Sequence, residues 1–301
     1  MKILKVMFEF LWKGVIIGVL NLIALMISAG LLTSLGGKFP KVESDMSYII
    51  FSMFLSGFFI SIIYGIIIKC MRIKKLRVFF TIYLMLLLNV VAQILEALFF
   101  TPGIVSWEAA QTLMGQQLIM YMIVSIGIVL LFKSESQENE STRIQKRSFL
   151  GWIWRILLSA GSYVIYYYVF GFINAKLFTM DFYINQINGL RLPSTLEILI
   201  LEPIRALIMV VSVIPAIIYL RVSTVKRMIL VGTFLFVFGG LLPMIQQIGT
   251  LPTILVVSTI IELFFQNFLL GVTTTLIILY EKRSFKGLIY PITAGIRRDA
   301  D

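Results

Sequence analysis

Residues 194–220 read STLEILILEPIRALIMVVSVIPAIIYL, an apolar run long enough to cross a bilayer that nevertheless carries Glu202 and Arg205 well inside it. A spanning helix needs about 20 apolar residues, and an ionisable side chain in hydrocarbon is costly unless it pairs or meets water. Glu202 and Arg205 stand three residues apart, on one helical face, so each can be the other's partner. Such a stretch predicts one helix of an all-α, polytopic transmembrane bundle with a polar interior.

The rest of the chain has the composition this requires. It is 59% apolar and only 14% charged, with a mean hydropathy of +0.97, whereas soluble domains carry about a quarter charged residues. Seven further long apolar runs accompany the opening stretch, giving eight expected spans: about 14–35, 48–68, 78–100, 113–132, 152–174, 195–220, 228–248 and 254–280. Ser194 followed three residues later by Glu197 is a capping-box start for the sixth, while Pro102 with Gly103, and Gly249 with Pro252, close the third and seventh. Lys2, Lys5, Glu9 and Lys13 form one polar face before the first span, which predicts an amphipathic lead-in at the membrane surface. A basic start also fits a signal peptide, but the run 14–35 is too long for one and lacks a small-residue cleavage site.

Charge gives the expected orientation. Of the 26 Lys and Arg residues, only Lys38, Lys41, Lys176 and Arg191 fall in the connections opposite the termini, and Arg205 lies in a span; the other 21 flank the terminal side. The positive-inside bias then predicts a multi-pass protein of the cell membrane with both ends cytoplasmic. Because these bases adjoin membrane faces, the net charge of +11 does not indicate a nucleic-acid partner; the expected partners are the bilayer, an unidentified small solute, ion or lipid head group, and a second membrane protein.

A duplicated organisation is expected. The hydrophilic stretch KSESQENESTRIQKR (133–147) separates four spans from four. IYGIIIKCMRIKK (63–75) can be laid over IPAIIYLRVSTVK (214–226), and GQQLIMYMIVSIGIVLLFKSE (115–135) over FFQNFLLGVTTTLIILYEKR (264–283), placing Gln117 opposite Gln266. The predicted division is a first four-helix repeat with its lead-in at 1–132, a cytoplasmic linker at 133–149, a second repeat at 150–283, and a tail at 284–301. Repeats with an even number of spans are parallel, related by an axis along the membrane normal.

Polar residues recur at helical spacing in the half of each span away from the termini. Asn89, Gln93 and Glu96 line one face of the third; Thr259, Glu262, Gln266 and Thr273 follow one another on the eighth; the fourth adds Gln116 and Gln117, the seventh Gln246 and Gln247. Lipid satisfies none of these groups, so they should face one another or water. Asn89, Gln93, Glu96, Glu202, Arg205, Glu262 and Gln266 are the candidate substrate-binding residues. The competing reading is interhelical hydrogen bonding that never touches a ligand. Glu262 lacks an obvious partner on its own helix, which implies either that Arg205 serves both Glu202 and Glu262 or that Glu262 is protonated. Gly14 and Gly18 predict a close helix contact, and Pro203, Pro215 and Pro243 predict kinks.

The chemistry classes that remain are few. The chain has no histidine and one cysteine, which removes the commonest general base, zinc site and any intramolecular disulfide. Asp45, Asp181, Asp299 and Asp301 all fall outside the expected spans, so aspartyl intramembrane proteolysis and aspartate-rich prenyl transfer lack their carboxylates. Without a Gly-rich phosphate loop no self-powered pump is expected. No cofactor and no metal site is expected. The leading reading is a secondary carrier or permease-like protein with a polar cavity; the alternatives are a non-catalytic membrane subunit or sensor and, third, a lipid-handling membrane enzyme.

IIELFFQNFLLGV, with Glu262, Asn267 and Gly271, together with EPIRALIMVVSVIPAI, resembles the second half of uncharacterised bacterial eight-span membrane proteins. The resemblance covers two helices and implies no activity. The richness in Ile, Leu, Phe and Lys suits an AT-rich bacterial genome.

Overall fold

The computed structural model describes residues 2–40, 45–134, 147–187 and 190–280. Within them eight helices are long and apolar enough to cross a membrane, and no strand forms. The chain is an all-α, multi-pass bundle. Its helices are α1 (Lys2–Ser34), α2 (Met46–Lys69), α3 (Lys75–Phe100), α4 (Trp107–Leu131), α5 (Phe149–Asn174), α6 (Thr195–Tyr219), α7 (Thr224–Phe236) and α8 (Thr253–Leu279). Most of the expected linker and all of the expected tail lie outside the described residues, as do Lys41 and Glu43.

Short polar residues set the helix starts. Ser106, Ser148 and Ser223 each accept from a backbone N–H of the first turn of α4, α5 and α7, and Asp45 does the same for α2. At α6 the capping box is complete: Glu197 N donates to Ser194 Oγ at 3.3 Å, and Ser194 N to Glu197 Oε2 at 2.7 Å. Across the first connection, exposed Lys38 donates to Glu108 at 2.7 Å, a hydrogen bond that raises the lysine pKa above its ordinary value.

Two expectations are corrected. The N-terminal lead-in is not a separate surface helix, because nothing before Gly36, at φ +83°, interrupts α1. Of its polar face, Lys5 is exposed, whereas Glu9 accepts from Lys13 at 2.6 Å and from Lys69 of α2 at 2.9 Å. The fifth helix does not stop at Asn174. A π-helical turn, Ala175–Thr179, and a short helix, Met180–Ile184, prolong it, so Asp181 sits on helix rather than in a loop. The seventh spans its expected length, through a π-helical turn, Val237–Leu241, and a last helical segment, Leu242–Gln246.

Packing follows a regular scheme. In the first four helices α1 lies against α2 and α4, and α3 against α4; in the second four α5 lies against α6 and α8, and α7 against α8. Between the two groups α3 packs along α6, and the end of α7 meets α2 and α3. Opposite that end the α2–α3 and α6–α7 connections touch, with Arg221 N donating to Cys70 O at 2.8 Å. Beside them Tyr64 of α2 packs on Phe234 and Phe238, with ring centroids 5.7 and 5.5 Å away. α5 is peripheral: of its residues only Ser159, Ala160, Tyr163 and Asn174 are buried, and Leu157, Ile165 and Phe172 face outward, where lipid solvates them.

Glycine sets the closest approaches. A Cβ on Gly57 would stand 2.9 Å from the Cα of Gly18, and one on Gly271 would stand 2.5 Å from the Cα of Gly232. The Gly14 and Gly18 pair therefore packs within the chain, as expected, but α7 and α8 approach more closely still. Gly271→Ala should force these two helices apart and lower stability by about 1–3 kcal/mol, measured as a fall in the midpoint of thermal unfolding in detergent. Gly161→Ala, whose added methyl would meet nothing within 4 Å, should not.

Candidate functional site

The polar residues gather into three neighbouring groups, all toward the helix ends remote from the chain termini. The first is built on Arg205. Its Nη1 donates to both oxygens of Glu202, at 2.9 and 2.7 Å, its Nε donates to the Ala92 carbonyl of α3 at 3.2 Å, and its Nη2 to Glu96 of α3. Glu202 and Arg205 are 0% and 2% exposed, so the guanidinium is shielded from lipid and its rigid fork is met by acceptors from two helices. The i, i+3 pairing read from the sequence is present. Arg205's second carboxylate, however, is Glu96, not Glu262.

Glu262 heads the second group, and it has a partner on its own helix after all. Gln266, one turn on, donates to its Oε1 at 2.6 Å, and Asn174, the last residue of α5, donates to its Oε2 at 2.5 Å. Gly171 makes the room, since a Cβ there would lie 3.1 Å from Glu262 Oε1. Of the other polar residues of α8, Thr273 bonds the Tyr166 hydroxyl of α5 at 2.7 Å and Thr259 is half-buried.

The third group lines a partly open cleft of about 60 Å³ where the first four helices meet the turns that prolong the seventh helix beyond Phe236. Its polar lining is Asn21, Ser56, Asn89, Gln93, Gln117, Tyr121 and Gln246. Asn89 and Gln93 thus face the cleft, while Glu96, expected on the same face, turns to α6 and Arg205. The seven candidate residues are therefore divided: Asn89 and Gln93 line the cleft, Glu96, Glu202 and Arg205 form the ionic group, and Glu262 with Gln266 forms the amide–carboxylate group. Gln247, expected in the interior, is exposed at the end of the seventh helix, because that helix terminates one residue before it.

Four of the five amides in the cleft, all but Gln117, have their orientation fixed by what the nitrogen meets. Asn21 Nδ2 donates to Met53 O at 2.8 Å, and Asn89 Nδ2 to Met85 O at 3.0 Å and to Ser212 Oγ at 2.9 Å. Gln246 Nε2 donates to Ser56 Oγ at 3.1 Å, and that hydroxyl itself donates to Ser52 O at 2.8 Å. Gln93 Nε2 donates to Phe238 O. This last carbonyl is available for a physical reason. In the π-helical turn Leu242 N–H reaches back to Val237 O, and the next residue, Pro243, has no N–H to give. Phe238 O is thereby left without a backbone donor, and a side chain from α3 supplies one.

Asn21, Asn174 and the shared role of Ser56, Gln117 and Gln246 were not among the sequence candidates. Asn21 is the sole amide of its span, so no spacing rule singles it out, and Asn174 reads as a span end. The signal that would have found Asn21 is Gly57, on which a Cβ would lie 2.6 Å from Asn21 Cβ: a glycine facing an amide across two helices.

No family model, curated protein or solved structure matches this chain. Its reading rests on its own geometry.

Loss of Arg205 should be the most damaging change in the ionic group, because it strands two carboxylates. Arg205→Met is expected to destabilise by about 3–5 kcal/mol; Glu202→Gln should do less, and Glu96→Gln least, since its side chain is 31% exposed. Thermal unfolding of the three purified variants checks that order.

Proposed function

We propose that this integral membrane protein is a secondary carrier or permease-like protein whose solute occupies the cleft between the two four-helix halves. The observation that carries the reading is a set of buried polar atoms in that cleft with no protein partner: Asn21 Oδ1, Asn89 Oδ1 and Gln117 Oε1 make no hydrogen bond. A buried oxygen left unpaired costs about 1–3 kcal/mol unless water or a solute meets it. Unspent acceptors lining a partly open cleft are what a bound solute or its accompanying water uses.

The packing scheme supports a duplicated organisation, with each half repeating the same neighbour relations and the cleft lying where the halves meet. In carriers built from parallel repeats the halves rock about a site at their interface. Here contacts on either side of the cleft can form the two gates: Tyr48 and Ser56 of α2 bond Ile245 O and Gln246 at one end, and Cys70 O takes Arg221 N at the other. The charge bias orients the cleft toward the face opposite the cytoplasmic termini. Acid–base chemistry is a weaker fit, because Glu96, Glu202, Arg205 and Glu262 are all engaged within the protein and lie outside the cleft lining. Assembly with another membrane protein as a subunit has the outward apolar face of α5 in its favour.

The chain has one cysteine, which makes a direct test simple. In a Cys70→Ser background, Gln117→Cys should react with a membrane-impermeant thiol reagent added outside, and that modification should reduce solute uptake into proteoliposomes at least about tenfold. Absence of flux for any solute across a broad panel of ions, amino acids and sugars, with the cleft cysteine unreactive from both sides, would eliminate the carrier reading.

A further inference from the structure

The amides of the cleft do more than leave oxygens unpaired: they present the same end of themselves. Four of the five turn their NH2 group into the protein wall, on Met53 O, Met85 O, Phe238 O and Ser56 Oγ. In every case the acceptor is a backbone carbonyl or a hydroxyl whose proton is already spent, so an amide flip would set oxygen against oxygen. What remains for an occupant is the carbonyl end. Asn21 and Asn89, 1% and 2% exposed, have unpaired Oδ1 atoms, and Gln117 adds an unpaired Oε1 without making any hydrogen bond within the protein. No lysine, arginine or carboxylate lines the space.

Neutral carboxamide oxygens around a small cavity are hard ligands. They suit a cation that exchanges part of its hydration shell for carbonyl dipoles; the amide donors of Asn21, Asn89, Gln93 and Gln246 are already taken up by the protein, which leaves an anion only the Gln117 amide and the Tyr121 hydroxyl of the lining. The surroundings carry the complementary sign. One guanidinium, Arg205, faces the carboxylates Glu96 and Glu202, and Glu262 is held by two neutral amides. Beyond their first turns, the charged side chains of α3, α6 and α8 are thus three acids and a single base. Glu96 stands one turn from Gln93 on α3.

We infer that the cleft between the halves is a binding site for a small monovalent cation, coordinated by the side-chain oxygens of Asn21, Asn89 and Gln117. The inference deepens the carrier reading and rests on it for the cation's transport role, whether as cargo or as coupling ion; binding itself can be measured without flux.

The test uses the full chain in lipid nanodiscs, with choline chloride replaced stepwise by sodium, potassium or ammonium chloride at constant ionic strength. At least one of the three cations should raise the unfolding midpoint by about 3 °C or more in a saturable manner, and equilibrium dialysis with radioactive sodium or rubidium should show the same half-saturation. Gln117→Met should weaken that half-saturation at least about tenfold, and because Gln117 bonds nothing in the protein, the variant should unfold near the parent's midpoint in choline. Lack of a saturable effect from all three cations in both measurements, or an unaltered half-saturation in Gln117→Met, would overturn the assignment. A neutral solute transported without cation dependence would overturn it while leaving the carrier reading intact. Cation binding with no flux of any kind would leave the site standing and remove the carrier.

Discussion

A guanidinium cannot sit in hydrocarbon unless nearby groups do the work of water, and the arrangement of α3 and α6 follows from that constraint. Arg205 draws its acceptors from its own helix, from a carboxylate of α3 and from an α3 backbone carbonyl. Those contacts bind one four-helix group to the other at a single buried point. They also set the rotation of α3, because Ala92 and Glu96 must face α6. Asn89 and Gln93 then project into the adjoining cleft, with Asn89 still reaching Ser212 of α6. One ion cluster thereby determines which polar residues remain available elsewhere.

Irregular backbone contributes the second element. In a bilayer a broken helical ladder is tolerated only where protein or water replaces the missing bonds. Both π-helical turns sit at such places. The turn at Val237–Leu241 releases a carbonyl that Gln93 takes, and its glycines admit α8, where Asn267 lies 3.0 Å from the position of a Cβ on Gly239. The turn at Ala175–Thr179 begins directly after Asn174, the residue that holds Glu262. Extra residues in a helix are unfavourable by themselves and recur where side chains must be re-aimed; here both re-aim the bundle's polar contacts.

Much of this was legible in the sequence. Apolar run length specified eight helices, Ser194 with Glu197 and the glycines and prolines of two turns marked three of their ends, and the three-residue spacing of Glu202 and Arg205 specified their pairing. All of these depend on short-range geometry: 3.6 residues per turn, caps within one turn, and the thickness of the hydrocarbon layer. Partners across helices were not legible. Arg205 had two plausible second carboxylates, and only the packing of α3 against α6 chose Glu96 over Glu262. Glu262 looked unpartnered because an amide one turn away carries no charge to mark it.

From its sequence alone the chain is a multi-pass helical membrane protein with polar groups too numerous and too regularly spaced to face lipid, since local periodicity and hydropathy are properties of the chain itself. Tertiary structure alone decided that these groups divide into an ionic tie, an amide-bound carboxylate and an uncharged cleft. The reason is geometric: which end of a carboxamide faces a cavity depends on the acceptors that neighbouring helices place behind it, and no residue order within one helix records that.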